Sequence, residues 1–491
     1  MRITLFATFV KKVMKRILLI SILTISISPL FSQNIVGNWN GNIDVNGSQI
    51  PIVFHFYKDS TGKIDGKWDS PKQNANGLPF SEIKFAGDSI NLDIKMISGT
   101  YAGKFIGEDS ITGIWHQGGG TIPLDFARKK GTQVYTSPER PQTPKAPFSY
   151  QALDVQYTNA DKSITFGATF TSPETTKKNQ RFPAVVLITG SGKQDRDETI
   201  FDHKPFAVIA DYLTKRGIAV LRVDDRDMGK TTGDFDTSSS ADFAKDVEAG
   251  INYLRSRSDV DTKHIGLIGH SEGGMIAPLV AAQDKDISFI VLLAGTGVPG
   301  STINDFQNVL PLKSAGINDD DIQHFLQLHH ALIEEATAAD NVDVFKNNVS
   351  KIYFDWKKKQ SPETINDLIK GTDENVIGTL QQSYSVFHSN WWKFFLVHDP
   401  AKDLEKLSIP VLALNGEKDI QVDPKINLSA IEAALKKSKS ANYKTMELPG
   451  LNHLFQHCTK CTIREYGELE ETFSPEALKI IGDWIVGVVK K

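Results

Sequence analysis

The run Ile265-Gly266-Leu267-Ile268-Gly269-His270-Ser271-Glu272-Gly273-Gly274 carries the reading of this chain. A short apolar, strand-like segment leads into Gly-x-Ser-x-Gly, and residues 274–282 behind it are compatible with a helix. A serine on a sharp strand-to-helix turn needs small neighbours, because a Cβ at either flank would meet the adjacent backbone. Such a turn projects the serine Oγ outward. It also leaves the next amide at a helix start, where the dipole favours negative charge. The pentapeptide alone is a weak signal. Set between strand and helix, it makes Ser271 a candidate nucleophile and the amide of Glu272 a candidate oxyanion donor.

Outward from this turn, strand-like runs recur at 183–189 (PAVVLIT), 218–224 (IAVLRVD), 265–269, 289–294 (FIVLLA), 409–415 (IPVLALN) and 443–448. Near-continuous Val/Ile/Leu runs suit strands covered on both faces. Between two of them Phe243, Val247, Ile251 and Leu254 step by 4, 4 and 3 and form one apolar helix stripe. The alternation predicts an α/β class fold with a doubly wound, mostly parallel sheet over 148–491. Residues 300–405 lack β-rich runs and read as a helical insertion, a candidate cap. Its Trp391, Trp392, Phe394 and Phe395 suit either the lining of a lid or plain core.

A serine nucleophile needs a base and an orienting acid, expected in the order Ser, acid, His in loops after later strands. The run 409–415 ends in Gly416-Glu417-Lys418-Asp419, and 443–448 ends in Pro449-Gly450-Leu451-Asn452-His453. The spacing from 271 to 419 leaves room for a strand, the cap and another strand. That from 419 to 453 fits one helix and one strand. Asp419 is therefore the expected acid, with Asp423 in the same loop as its rival, and His453 is the expected base. The loop Thr189-Gly190-Ser191-Gly192 lets backbone amides approach a substrate, so the amide of Ser191, with Gly192 as alternative, is the second candidate oxyanion donor. The charged stretch Lys193-Gln194-Asp195-Arg196-Asp197 that follows reads as a solvated surface loop or a substrate contact.

Three other patterns compete for attention. Gly295-Thr296-Gly297-Val298-Pro299-Gly300 matches Gly-x-Gly-x-x-Gly, but Pro299 interrupts it and no strand with a terminal acid follows at dinucleotide-binding distance. Gly229-Lys230-Thr231 resembles the end of a phosphate loop, yet Asp224, Asp225 and Asp227 beside it would repel phosphate. His453, His457, Cys458 and Cys461 are four possible zinc ligands. Adjacent ligands at 457 and 458 fit a tetrahedron poorly, so a local Cys458–Cys461 disulfide or two inert thiols are the expected states. No metal and no organic cofactor is implied.

The N-terminal part has a different character. Lys11, Lys12, Lys15 and Arg16 precede an apolar run over 17–31, followed by the small and polar Ser32, Gln33 and Asn34. That order is the order of an export signal, expected to span 1–32, and the run falls short of the roughly 20 residues needed to cross a bilayer. The mature chain is expected to be periplasmic or secreted, with membrane contact only through an uncleaved signal. Residues 34–130 alternate apolar and polar, and a Gly-x-aromatic element recurs at Trp39, Trp68, Phe105 and Trp115. This predicts a small all-β domain, a lipocalin-like barrel or sandwich, with the aromatics as core or as the wall of a ligand site. Residues 131–147 carry Pro138, Pro141, Pro144 and Pro147 and read as a linker.

Lys+Arg 55 against Asp+Glu 59 leaves a net charge of −4, so no basic surplus calls for nucleic acid. Two cysteines cannot build a disulfide scaffold.

From about 150 to 490 the chain resembles bacterial α/β-hydrolase-fold carboxylesterases of the serine-aminopeptidase-like branch. The resemblance rests on four blocks in order: 189–199 (TGSGKQDRDET), 266–274 (GLIGHSEGG), 414–419 (LNGEKD) and 448–455 (LPGLNHLF). It implies hydrolysis of small-molecule esters, with Ser271 as nucleophile, His453 as base and Asp419 as orienting acid. A peptidase or acyltransferase on the same residues, and a non-catalytic lipid- or glycan-binding protein, are the alternatives. The chain departs from the family at Arg226-Asp227, where Arg-Gly is expected, and in its N-terminal β-domain.

Overall fold

Side chains along a strand point alternately to opposite faces, and this alternation sorts the core of the α/β unit into two layers. Val186, Ile188, Leu267 and Leu292 pack on one face against Ile251, Leu254, Ile276 and Val280. Val185, Leu187, Ile268 and Leu293 pack on the other against Phe206, Ile209, Leu213 and Ile481. The computed structural model describes residues 35–490 apart from 46–47, 60, 71–74, 98, 118–119 and 129–138. The segment expected to be an export signal and the first part of the Pro-rich stretch, 131–138, lie outside the described residues. The chain divides into two units, residues 1–136 and 137–491.

The second unit holds an eight-stranded sheet. Its order is Tyr150–Thr158, Thr165–Pro173, Ala219–Val223, Phe182–Ile188, Val260–His270, Phe289–Leu293, Val411–Gly416, Tyr443–Leu448. The first three pair antiparallel and the remaining pairings are parallel. Helices cover both faces, which is why these parallel strands are continuously apolar. The helix Ser240–Ser256 carries the expected stripe, with Val247, Ile251 and Leu254 buried. It starts where the Asp242 carboxylate accepts from the amide and hydroxyl of Ser239. Between Phe289–Leu293 and Val411–Gly416 the chain is helical throughout, from Gly300–Ser314 to Pro400–Leu404. This insertion has a core of its own around Leu332, Phe345, Val349, Tyr353 and Trp356. Ahead of the sheet, Arg140 donates to the carbonyls of Phe201, Gly467 and Leu469, and Gln142 donates to Phe473. Both residues of the Pro-rich stretch are thus held on this unit.

The first unit is one antiparallel sheet of ten strands curled over a single core. Among the described residues its ends in the pairing order, Ala75–Pro79 and Glu82–Ala86, do not pair with one another, so it is an open half-barrel. Trp39, Trp68, Phe105 and Trp115 are all buried, and Phe54 stacks on Phe126 with ring centres 4.0 Å apart. The recurring glycines have a packing reason. A Cβ on Gly113 would lie 2.4 Å from the Tyr101 hydroxyl oxygen, and one on Gly103 would lie 2.6 Å from the Tyr101 ring. No helix among the described residues is long and apolar enough to cross a membrane.

Candidate functional site

Strand Val260–His270 stops at Ser271, which sits at φ 53°, ψ −114°, and helix Glu272–Gln283 begins at once. A non-glycine residue in this region costs on the order of 1–3 kcal/mol and is held there by its surroundings. The Ser271 amide donates to Leu293 O at 2.8 Å, and Ser271 O accepts from Gly274 at 2.9 Å. A Cβ on Gly269 would lie 1.9 Å from Gly273 O, and one on Gly273 would lie 2.2 Å from Ile188 O. The two glycines therefore allow the turn to close against the neighbouring strand.

Asp419 and His453 lie in the loops after strands Val411–Gly416 and Tyr443–Leu448, at the same rim. His453 Nδ1 is 2.7 Å from Asp419 Oδ2, and both residues are buried. The other Asp419 oxygen accepts the amides of Gln421 and Val422 at 2.8 and 2.9 Å, so the carboxylate is fixed from both sides. Asp423, the rival acid, instead caps helix Pro424–Lys437 through the Ile426 amide. Asn452, wholly buried, braces the His453 loop by accepting the amides of Leu454 and Gln456. The Ser271 hydroxyl makes no side-chain hydrogen bond among the described residues. Such bonds often tighten only when substrate is bound.

Of the candidate oxyanion donors, Glu272 occupies the first turn of the elbow helix, and Ser191 is exposed in the loop after Phe182–Ile188. The adjacent Gly190 approaches the elbow so closely that a Cβ there would lie 3.3 Å from Ser271 Cβ. Its amide is already given to Glu198 Oε1 at 2.6 Å. The Glu272 side chain is buried, and its Oε1 accepts from Ser240 Oγ at 2.6 Å and from Trp391 Nε1 at 2.8 Å. Burial pushes this carboxyl up to about 7 against those two hydrogen bonds. Burial likewise pushes Asp225 up to about 8, although it accepts from the Gln194 amide and the Thr189 hydroxyl. A cleft of about 50 Å³ runs beside Gly190, Asp225 and Glu272, walled by Phe235, Phe243 and Ile276.

The charged stretch 193–197 is half-buried and ion-paired within the protein, not a solvated loop. Arg196 pairs with Asp224 and Asp154, and Asp197 pairs with Arg222. Asp195 accepts the amides of Asp197 and Thr199. These bonds tie the loop that carries Gly190–Gly192 to the sheet. The cap aromatics pack as core. Phe395 is buried and stacks on Trp391 at 4.8 Å, while Met275 of the elbow helix and Val422 of the acid loop complete the same cluster.

The rival patterns have structural roles. Gly297 packs so tightly on helix Pro424–Lys437 that a Cβ would lie 2.4 Å from Asn427 O, and Lys230 pairs with Asp154. Cys458 and Cys461 form a disulfide, while His453 is engaged by Asp419 and His457 by Glu471. Those four residues therefore do not converge as a zinc set. Two residues of the site escaped the sequence. His270 Nδ1 lies 2.9 Å from Glu198 Oε1, and its Nε2 lies 3.1 Å from the carbonyl oxygen of His453.

A sheet of this order, with a serine held at positive φ on the sharp turn between its central strand and the next helix, defines an α/β-hydrolase-type protein. Residues 183–457 match the family model described as alpha/beta hydrolase fold, and the chain belongs to that family. It is 29% identical to Esterase EstD of Thermotoga maritima over 274 residues, which are 56% of this chain and 54% of EstD. The chain thus spans about half the length of that relative. It is 32% identical over 96 residues to the uncharacterized protein YfhR of Escherichia coli, 19% of this chain and 33% of YfhR. Among solved structures it is similar to Est1E from Butyrivibrio proteoclasticus with bound ferulic acid. That match has 16% identity and a TM-score of 0.38, and covers 69% of this chain and 100% of Est1E. It is also similar to the Pyrococcus furiosus esterase Pf2001, with 14% identity, a TM-score of 0.41, and 72% and 98% of the two chains covered.

Proposed function

We propose that this chain is an exported serine hydrolase that cleaves small carboxylic esters through an acyl-enzyme. His453 takes the proton from Ser271 as Oγ attacks the ester carbonyl. Asp419 holds the imidazole with its Nδ1 proton inward and stabilises the imidazolium that forms. The amides of Glu272 and Ser191 receive the developing oxyanion, each worth about 3 kcal/mol in the transition state. His453 then returns its proton to the leaving alcohol, and water activated in the same way releases the acid.

The observation that carries this reading is the buried 2.7 Å contact of His453 with Asp419 at the rim where Ser271 is held at positive φ. EstD, over the aligned half, lends the ester class. Export is supported by the Cys458–Cys461 disulfide, which suits an oxidising space. The test is Ser271→Ala assayed with p-nitrophenyl acetate. Turnover is expected to disappear together with labelling by a fluorophosphonate. Wild-type turnover in the purified variant would refute the assignment.

A further inference from the structure

Directly behind Ser271 lies a buried histidine–carboxylate pair that the reaction above does not use. His270 Nε2 faces the carbonyl oxygen of His453 at 3.1 Å. A carbonyl only accepts, so Nε2 carries a proton. His270 Nδ1 faces Glu198 Oε1 at 2.9 Å, and that same oxygen accepts the Gly190 amide at 2.6 Å. With Glu198 as a carboxylate, that oxygen accepts from the Gly190 amide and from Nδ1, which then carries a proton as well. Glu198 and His270 are 3% and 7% exposed, and Glu198 is held at φ 52°. A buried carboxylate persists only when it is paired and hydrogen-bonded, and here one imidazolium and one amide supply both conditions.

We propose that Glu198 and a doubly protonated His270 form a positioning pair that holds three backbone segments of the site as one unit. The segments are the oxyanion loop at Gly190, the elbow at His270–Ser271, and the loop bearing His453. The proposal rests on the reading of Ser271, His453 and Asp419 as the reacting groups and names what keeps them in register. Hydrolysis requires the amides beside Gly190, the Ser271 hydroxyl and the His453 ring to keep fixed separations, though they come from three loops. A single carboxylate oxygen and the two nitrogens of one ring span all three.

The pair also carries charge to the base. The His270 and His453 rings are 4.8 Å apart between centres. The charged groups that face His270 are Glu198 from the oxyanion loop and, past the His453 ring, Asp419 from the acid loop. Burial works against the charge on His270, but Glu198 and the His453 carbonyl together hold its pKa above the ordinary histidine value. The proposed cation therefore lies beside the ring that takes the Ser271 proton.

The test has two arms. In wild-type protein labelled with ¹⁵N-histidine, one ring is expected to show both nitrogens still protonated at pH 7, above the ordinary histidine value. A His270 that is singly protonated at that pH would overturn the proposal, and this arm needs no variant to fold. In Glu198→Gln, a neutral His270 cannot donate from both nitrogens, so one of the three bonds is lost. Glu198→Gln and His270→Gln are expected to lower kcat about ten-fold with KM within about two-fold. Folded variants with wild-type kcat and KM would sink the proposal while leaving Ser271 as the nucleophile. Turnover surviving in Ser271→Ala would instead sink the underlying reaction, and the ¹⁵N spectrum would still report on His270.

Discussion

Two histidines lie side by side at the rim of this sheet, each against a buried carboxylate, and they are used differently. His453 spends Nδ1 on Asp419 and makes no hydrogen bond through Nε2 among the described residues, whereas His270 spends both nitrogens, on Glu198 and on a backbone carbonyl. The first sits on a loop and the second at the end of a strand. On the reaction and the positioning pair proposed above, the difference is that between a base and a strut. A histidine moves protons when one nitrogen is left for the substrate, and it holds structure when neither is.

The strongest way to break that contrast is to disturb the tautomer of His453 alone. Asp419→Asn preserves shape but gives His453 an amide partner that no longer enforces a proton on Nδ1 or stabilises the imidazolium. Turnover of a p-nitrophenyl ester is expected to fall by about 10⁴-fold, a loss far greater than that from Glu198→Gln. Equal losses in the two variants would mean that the two pairs do the same work.

Much of this site was legible before any coordinates. Ser271 stood out because glycines at 269 and 273 have few other uses between a strand and a helix, and the structure shows why, with backbone atoms where Cβ atoms would go. Asp419 and His453 were legible because parallel strands deliver their loops to one rim. The Glu198–His270 pair was not, since its members are 72 residues apart and only tertiary structure joins them. The stretch 193–197 was misread because its partners, Arg222, Asp224 and Asp154, belong to other parts of the sheet. One signal was available: Arg222 within an apolar strand run needs a buried partner. Strand Tyr150–Thr158 went unseen because it is mostly exposed and lacks an apolar run.

A third carboxyl sharpens the comparison. Glu272 is as buried as Asp419 and Glu198, yet its partners are the neutral donors Ser240 and Trp391. Its pKa is raised from 4.5 to about 7 by burial, against those two hydrogen bonds. The folded state therefore holds this proton better than the unfolded chain does. The contribution to stability is full below about 4.5 and is lost as pH rises toward 7, a change of about 3 kcal/mol. Glu272→Gln has no proton to lose, so its stability relative to wild type should improve between pH 5 and pH 8 by up to that amount. Urea titrations at the two pH values measure it. A difference independent of pH would show that Glu272 is ionised at pH 5 already.

The smallest expected effect concerns how the two histidines are carried. His270 hangs from the central sheet, while the His453 loop continues into the Cys458–Cys461 disulfide. There the Glu465 carboxylate also gathers the amides of Thr459, Lys460 and Cys461. Closing so short a loop stabilises by about 2 kcal/mol in the chain-entropy model. Cys458→Ser with Cys461→Ser should therefore lower the unfolding free energy by about that much. The position of His453 depends more directly on Asp419 and on the Asn452 side chain, which grips the chain before the disulfide is reached. Turnover of the double variant at 25 °C should accordingly stay within about two-fold of wild type, because the groups that fix the ring are untouched. A ten-fold fall in kcat would instead place the disulfide among the elements that hold the base, and the loop-borne histidine would then depend on two supports where the strand-borne one needs a single carboxylate.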